Sequence, residues 1–482
     1  MKKHSLFFAV ILSFTCGCFQ YTPPTPVLLS NKFTPANHSA SDEILLSLSV
    51  LTLNDARKIA LQNNQNYRAA YLMVDAARMR YYQSMGAYAP EISVGNRTGQ
   101  NLDWGYNMHN PPSDIAGRNY GFSVSSTVNA SYLLFDGFAR YLNVLIQKSS
   151  LAKETAIRNR VRCMLKRSVE YAYFDMQLAA ALQSIQRENI EFNRRMYNLT
   201  SPEVLSGKRN ANQALNFQII IGDAQGALLD AVNQQQIANY ALAQLMGYSA
   251  GELPKQLALE PLPEKLERIY YSVDACIEIA LENNPDMHIM QQQLKIAYYN
   301  KLKSYSAFFP VINANFQYKN INHNSSYQNY RVNSSHYGNN EMYYGFEANY
   351  LIFNGFTRYN TMREMQAMLA VTEFNMAETY LQILNDIRSA YANYDTAYKR
   401  YQIYQSLIPL ARQERELVRD LYLKYQEGVD RLDRTQNDFV SAQTNTVVAI
   451  TNCRKAIAQL EAIMMMDIYP NSGSRKSWND NM

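Results

Sequence analysis

The chain contains two copies of one sequence pattern, in the same order and about 220 residues apart. Ile59–Asn64 (IALQNN) recurs as Ile279–Asn284 (IALENN), and Tyr132–Phe138 (YLLFDGF) recurs as Tyr350–Phe356 (YLIFNGF). A period of this length is far too long for a solenoid, so the duplicated unit is the size of a domain. We assign the first unit to residues 51–265 and the second to residues 266–466.

Each unit begins with an amphipathic helical pattern. Apolar residues recur at helical spacing from Leu53 in the first unit and from Ala275 in the second. Pro90 and Pro310 are expected to end these patterns, because proline cannot continue a helix. The expected N-cap residues are Asn54 and Asp274.

The pattern then changes to the period of 2 that is typical of strands. Residues 312–318 alternate apolar and polar side chains, and residues 122–130 do so in the first unit. Strands of about 9–11 residues with one apolar and one polar face, and with aromatic residues near their ends, are typical of transmembrane β-barrels. We expect two such strands in each unit, at about residues 90–135 and 310–353. A half-buried hairpin on a soluble core is the alternative.

Very long helical stretches follow the strands. Two strand-to-helix turns are expected, at Asp136 with Gly137 and at Asn354 with Gly355. From Thr357 to about Gly428 only Pro409 interrupts the helical pattern. At about 1.5 Å per residue, such a stretch runs on the order of 100 Å, which is wider than a globular domain. Helices packed side by side as coiled coils are therefore expected, with a returning helix after each long one.

The N-terminus has the features of an export signal. Lys2 and Lys3 precede an apolar stretch that is too short to span a bilayer. The segment resembles a bacterial lipoprotein signal that ends at Gly17, with Cys18 as the lipidated residue; cleavage without lipidation is the alternative. We assign residues 1–17 to a signal peptide, 18–50 to a lipid-anchor and tether segment, and 467–482 to a polar tail.

Composition and motifs exclude several classes of function. Lys and Arg number 46 against 41 Asp and Glu, so no strong basic surface for nucleic acid is expected. The six histidines show no metal-ligand spacing, and no nucleophile elbow, phosphate loop or HExxH motif is present. We therefore expect no enzymatic activity, no cofactor, no metal and no nucleic-acid partner.

The number of strands constrains assembly. Four membrane strands in one chain cannot form a closed barrel, since single-chain barrels begin at about eight strands and open sheet edges are not tolerated in lipid. Several copies must therefore pool their strands, and either two or three copies would be enough. The flanking helices would continue the barrel as a tube, and a tube of this length crosses the periplasm.

These features resemble the TolC-type outer-membrane efflux factor family. The resemblance rests on Gly17 with Cys18, the duplicated helix–strand–strand–helix order, the Leu-Phe-Asp/Asn-Gly strand exits and Tyr425–Gly428 (YQEG). It implies a mainly α fold in which a homotrimer builds a twelve-stranded β-barrel in the outer membrane, continued by a twelve-helix α-barrel. It also implies docking with a periplasmic adaptor protein and an inner-membrane transporter.

The resemblance also implies a gate at the periplasmic helix tips. Tyr425 and Gly428 match the family's turn, and Asp430 and Asp433 are the candidate acidic residues beside it, although Arg434 and Asn437 occupy positions where the family usually has carboxylates. Charges on a solvated turn are the alternative interpretation. The implied function is the outer-membrane channel of a tripartite efflux or type I secretion system. A periplasmic coiled-coil scaffolding lipoprotein is the competing hypothesis.

Overall fold

The computed structural model describes residues 48–103, 119–248, 250–254, 256–263, 265–327, 335–466 and 468. The expected signal peptide at 1–17, the lipidation residue Cys18, nearly all of the tether and all but Ile468 of the tail lie outside the described residues.

The described elements follow the same order twice. The first unit comprises β1 (Val50–Leu51), α1 (Leu53–Asn63), α2 (Gln65–Gly86), β2 (Glu91–Asp103), β3 (Asn119–Phe135), α3 (Ala139–Leu205) and α4 (Ala211–Leu245). The second comprises β4 (Ala258–Leu259), α5 (Val273–Asn283), α6 (Pro285–Ser306), β5 (Val311–Tyr327), β6 (Ser335–Asn349), α7 (Thr357–Leu423) and α8 (Val429–Met464). The predicted fold class, mainly α with an internally duplicated helix–strand–strand–helix unit, is confirmed.

The first helical pattern of each unit is two helices rather than one. Asn64 and Asn284 have extended backbone conformations, with ψ of 123° and 126°, and these residues separate α1 from α2 and α5 from α6. The predicted N-caps were also wrong. The caps are Thr52 and Ser272, whose side-chain oxygens accept hydrogen bonds from backbone N–H groups in the first turn.

The two asparagines join consecutive helices of the long rods end to end. The Asn64 side chain accepts a hydrogen bond from the Tyr67 N–H (3.1 Å) and donates one to the Leu245 carbonyl at the end of α4 (3.0 Å). Asn284 repeats this arrangement by donating to the Ile463 carbonyl near the end of α8 (3.0 Å). A carboxamide is suited to this position because it satisfies a free donor of one helix and a free acceptor of another.

Asn284→Ala is expected to lower the free energy of unfolding by about 1–3 kcal/mol. Asn284 is buried, so truncation leaves the Ile463 carbonyl and an N–H at the start of α6 without partners. Denaturant unfolding of the detergent-solubilised protein measures the change. The neighbouring Asn283→Ala is the control, since Asn283 is only partly buried and donates only within its own helix. Equal losses for the two variants would contradict a joining role for Asn284.

The long strands form one antiparallel sheet in the order β2-β3-β5-β6. Ser131 of β3 stands opposite Glu91 on one side and Asn315 on the other. The strands contain 13 to 17 residues, so the predicted length of about 9–11 was wrong. The asparagine-rich segments that composition assigned to loops continue the ladder, because backbone pairing does not depend on side-chain polarity.

The sheet has one polar face and one apolar face. On the polar face, Ser131 donates to the Asn315 side chain (2.9 Å), which in turn donates to Glu347 (3.0 Å). Large apolar side chains on the other face are exposed, including Ile92, Val94, Phe316, Tyr344 and Phe346. An apolar outer band around a polar interior is the pattern of a transmembrane β-barrel.

The helices extend the lateral order of the sheet. Next to the sheet, α2, α3, α6 and α7 lie side by side in that order. Further from the sheet, the order is α4, α3, α8 and α7. One edge of the chain is therefore formed by β2, α2 and α4, and the opposite edge by β6 and α7.

Within the described part of the chain, no helix carries an apolar stretch long enough to cross a membrane.

Candidate strand-to-helix turns and helical tips

Glycine is the only residue type that fits position 137, in the first strand-to-helix turn. The φ of Gly137 is +65°, in the left-handed region. A Cβ atom there would lie 2.7 Å from the Ser306 carbonyl oxygen and 2.9 Å from the Cβ of Phe309. The Ser306 hydroxyl donates a hydrogen bond to the Gly137 carbonyl (2.7 Å). This turn therefore also holds the two units together.

Gly355 has the same φ of +65°, but no atom lies within 4 Å of the point that a Cβ atom would occupy. In the single chain, the second turn thus requires glycine for its backbone conformation alone. Asp136 caps the helix that follows the first turn by accepting a hydrogen bond from the Arg140 N–H (2.8 Å). Asn354 uses its backbone carbonyl, which accepts from the Thr357 hydroxyl (2.8 Å).

An arginine braces each turn, although the sequence analysis gave these residues no role. Arg140 donates to the carbonyls of Ala87 (3.4 Å) and Leu134 (3.3 Å), and Arg358 donates to the carbonyls of Ala307 and Leu351. Their recurrence 218 residues apart was the available signal. Aromatic side chains surround this level of the chain and are exposed: Phe308, Phe309, Tyr350, Phe353 and Phe356.

The helical tip between α7 and α8 contains the predicted turn residues. Tyr425 has a φ of +61°, which is left-handed and unusual for an aromatic residue. Gly428 has a φ of −85° and is the residue before α8, in an extended conformation that any residue adopts. The left-handed position of this turn is therefore Tyr425 rather than Gly428. In the tip of the first unit, 218 residues earlier, the equivalent position is Gly207, with a φ of +75°.

A group of four residues, which we call the tip latch, joins the two tips: Glu203, Arg209, Tyr422 and Tyr425. The Tyr425 hydroxyl donates to Glu203 (2.8 Å), and Arg209 forms an ion pair with the same carboxylate. Arg209 also donates to the Tyr422 carbonyl (2.8 Å), and its guanidinium lies 4.1 Å and 4.5 Å from the ring centroids of Tyr422 and Tyr425. These contacts offset the strain of a left-handed tyrosine.

Tyr422 anchors the latch in a buried apolar cluster. Its hydroxyl is 2.8 Å from the Thr200 hydroxyl, and its ring meets Phe217 edge-to-face with centroids 6.0 Å apart. Residues from both tips form this cluster, including Phe192, Met196 and Leu432. The two helical hairpins of one chain therefore move as one body at this end.

The two candidate acidic residues lie in the first turns of α8. Asp430 is exposed, whereas Asp433 is partly buried and accepts a hydrogen bond from Asn437 (3.1 Å). Burial raises the pKa of Asp433 above its usual value, and the nearby carboxylates of Asp430 and Asp223 raise it further. Asp223 lies on α4, so the structure brings an acidic residue of the first unit towards this pair.

The tip latch is expected to weaken in acid. The hydrogen bond from Tyr425, followed by that from Arg209, lowers the pKa of Glu203. A lowered folded-state pKa means that this carboxylate stabilises the fold above its ordinary pKa of about 4.3, and that the contribution is lost as pH falls through the lower, folded-state value. Hydrogen exchange at residues 203–209 and 424–428 should accelerate in that range, after correction for intrinsic rates. In Glu203→Gln this pH dependence should be absent; its persistence there would contradict the assignment.

Three members of the latch, Glu203, Arg209 and Tyr422, were not found by sequence reasoning. Aligning the two units at an offset of 218 pairs Gly207 with Tyr425 and would have directed attention to the first tip. Within the described residues, no group of histidine, cysteine, aspartate and glutamate side chains is arranged to hold a metal ion.

Several solved channel structures share this fold. The chain aligns with CusC at 16% identity over 90% of this chain and 95% of that one, with a TM-score of 0.71. VceC from Vibrio cholerae aligns at 14% identity over 86% and 95%, with a TM-score of 0.71. CmeC from Campylobacter jejuni aligns at 14% identity over 86% and 85%, with a TM-score of 0.73. No curated protein sequence matches the chain.

A family comparison gives a sequence-level assignment. Residues 56–248 and 276–464, one segment in each unit, match the outer membrane efflux protein family. These segments cover well over half of the chain and include both helical hairpins and both pairs of long strands. The chain therefore belongs to the outer membrane efflux protein family.

Proposed function

We propose that the chain is the outer-membrane channel component of a tripartite efflux or type I secretion system, acting as a passive conduit across the outer membrane and the periplasm. Membership of the family makes it an outer-membrane efflux channel. The observation that carries the mechanism is the shared lateral order of strands and helices, because a sheet that curls into a barrel then continues directly as a helical tube. A conduit of this kind works without catalytic chemistry.

We propose a homotrimer. Each copy supplies four long strands whose two edges, β2 and β6, have no partner strand in the described part of the chain. Open edges are not tolerated in lipid, so the edges of neighbouring copies must pair. Three copies give twelve strands, and the four side-by-side helices of each copy give a twelve-helix tube beneath them.

The helical tips are the proposed gate. Tyr425 and Gly428 form the turn, and Asp430 and Asp433 place negative charge beside it. A ring of carboxylates at a constriction favours cations. The tip latch supports this assignment, because it fixes both hairpins of a chain relative to each other and so defines one tip position per copy.

Planar-bilayer recording of the purified protein tests both the conduit and the gate. The wild-type protein should form ion-conducting channels, and Asp433→Asn should change their conductance and reduce their preference for cations. Asp438→Asn, a neutralised exposed carboxylate further along α8, is the matched control. Unchanged current in Asp433→Asn would remove Asp433 from the gate. Absence of any conductance from correctly folded protein would favour a scaffolding role instead.

The proposed partners are a periplasmic adaptor protein and an inner-membrane transporter, with outer-membrane lipid around the barrel. We further propose that Cys18 is acylated after removal of residues 1–17, which would anchor the chain to the membrane that holds its barrel. Metabolic labelling with a fatty-acid analogue should mark the wild-type protein and not Cys18→Ser. Equal labelling of the two proteins would contradict lipidation at this residue.

A further inference from the structure

The two units of one chain pack against each other along their full length. Strand β3 pairs with β5, and α3 lies against α6 above and α8 below, where "above" means nearer the sheet. In each case an element of the first unit meets an element of the second. The internal seam therefore provides a complete example of how unit one contacts unit two.

The repeat gives the image of every residue at this seam. An offset of 218 relates Gly137 to Gly355 and Gly207 to Tyr425, so it relates α3 to α7 and also α4 to α8. An offset of 220 relates Asn64 to Asn284, and therefore α2 to α6. The image of the α3–α6–α8 seam thus joins α7 at one edge of the chain to α2 and α4 at the other. Within one chain these edges are on opposite sides.

Burial along α3 and α7 shows that the image seam is unfilled in the single chain. On α3, Ile185 and Phe192 are 8% and 5% exposed. Their images on α7, Ile403 and Leu410, are 57% and 61% exposed although they are equally apolar. The exposed α7 side chains at 403, 407, 410, 414 and 417 alternate in spacing between four and three residues, which is the spacing of a coiled-coil seam.

The opposite edge carries a second exposed seam with the same spacing. On α4 the positions 215, 219, 222, 226 and 229 follow the four-and-three alternation, and Leu215, Ile219 and Leu229 are each more than half exposed. The two glycines of this seam, Gly222 and Gly226, have open space where a Cβ atom would be. Two apolar coiled-coil seams on opposite edges of one chain fit a second copy of the same chain.

We propose that the β6–α7 edge of one copy binds the β2–α2–α4 edge of the next in the register that the second unit uses on the first. This inference rests on the proposed ring of copies and adds its residue-by-residue register. Inside the chain, Lys153 meets Gln293 at 3.4 Å. The image of this contact is Val371 against Met73 of the partner subunit.

The images of three internal contacts show the chemistry of the seam between copies. Lys153–Gln293, Arg160–Asp286 (3.1 Å) and Lys303–Asn143 (3.3 Å) each include a cation. Their images pair Val371 with Met73 of the partner subunit, Glu378 with Asn66 of the partner subunit, and Thr361 with Gln83 of the partner subunit. None of these images includes a cation. Val371 and Met73 are both about half exposed in the single chain, as apolar residues awaiting a partner would be.

Cysteine cross-linking tests the register. A Met73→Cys/Val371→Cys variant, treated with a short bis-maleimide in detergent, should give covalently linked dimers and trimers on denaturing gels. The Lys153→Cys/Gln293→Cys variant is the matched control, because its link should form within one chain and give no multimers. Met73→Cys/Asn375→Cys, displaced by one helical turn, should give far fewer multimers, and single-cysteine variants report any contribution from native thiols.

The outcomes separate this inference from the proposed function. If the variants assemble with wild-type size and conductance, but multimers form with Asn375→Cys rather than with Val371→Cys, the register is wrong and the conduit stands. Absence of multimers from the Val371→Cys variant in assembled protein overturns the register in the same way. If no variant and no wild-type protein assembles, both the register and the trimeric conduit are overturned. Met73 and Val371 are exposed, so the substitutions should leave the fold of each copy intact.

Discussion

Gly137→Ala should destabilise the protein by about 2–5 kcal/mol, through left-handed backbone strain and overpacking against Ser306 and Phe309. The Ser306 carbonyl is backbone, so it cannot move away without shifting the end of α6. Thermal unfolding of the solubilised protein measures the loss, together with the yield of folded protein in membranes.

Gly355→Ala is the matched control because the two glycines share a φ of +65° and differ only in what surrounds them. In a single chain the second variant carries only the backbone strain, so its loss of intrinsic stability should be smaller. If the proposed register holds, the Gly355 turn also faces a neighbouring copy, and Gly355→Ala should lower assembly more than chain stability. Equal effects of both variants on the unfolding of separated chains would contradict the close contact at Gly137.

Arg57→Ala should lower the free energy of unfolding by about 3–5 kcal/mol, because it leaves buried carboxylates without their counter-charge. Arg57 on α1 lies 2.7 Å from Glu170 of α3 and 3.8 Å from Glu461 of α8. Both carboxylates are buried, and Glu461 also accepts a hydrogen bond from the Ile468 N–H (2.8 Å). This cluster ties α1 to one long helix of each unit, near the point where Asn64 joins α2 to α4.

Two further variants distinguish a buried-charge effect from a loss of packing. Arg78→Ala removes an exposed arginine that pairs with Asp75 at 2.8 Å on α2, and it should cost less than about 1 kcal/mol. Adding Glu170→Gln to Arg57→Ala removes one of the stranded charges and should recover part of the lost stability. Denaturant unfolding would contradict the argument if the double variant were no more stable than Arg57→Ala.

Sequence patterns predicted the parts of the fold that are governed by periodicity. The change from a period of 3.6 to a period of 2 predicted strands after Pro90 and Pro310, and the strands begin at Glu91 and Val311. Counting four strands led to the requirement for several copies. Strand length was wrong because the outer halves of β5 and β6 are polar on both faces, so alternation gives no signal there.

Contacts between distant segments were harder to predict. Asn64 and Asn284 were recognised as repeated residues, yet their role depends on helix ends that lie 181 and 179 residues away. The tip latch joins residues about 220 positions apart in two hairpins, and only the offset between the units could have revealed it. Tyr425 and Gly428 were singled out together, but the backbone assigns them different roles that composition cannot distinguish.

The central claim is that several copies of this chain complete one pore. Native mass spectrometry of the detergent-solubilised protein tests it most directly, since it counts the chains in the intact assembly. The account predicts a single dominant species of three chains, which supplies twelve strands. A monomer that is stable without detergent, or a dominant dimer with eight strands, would contradict it.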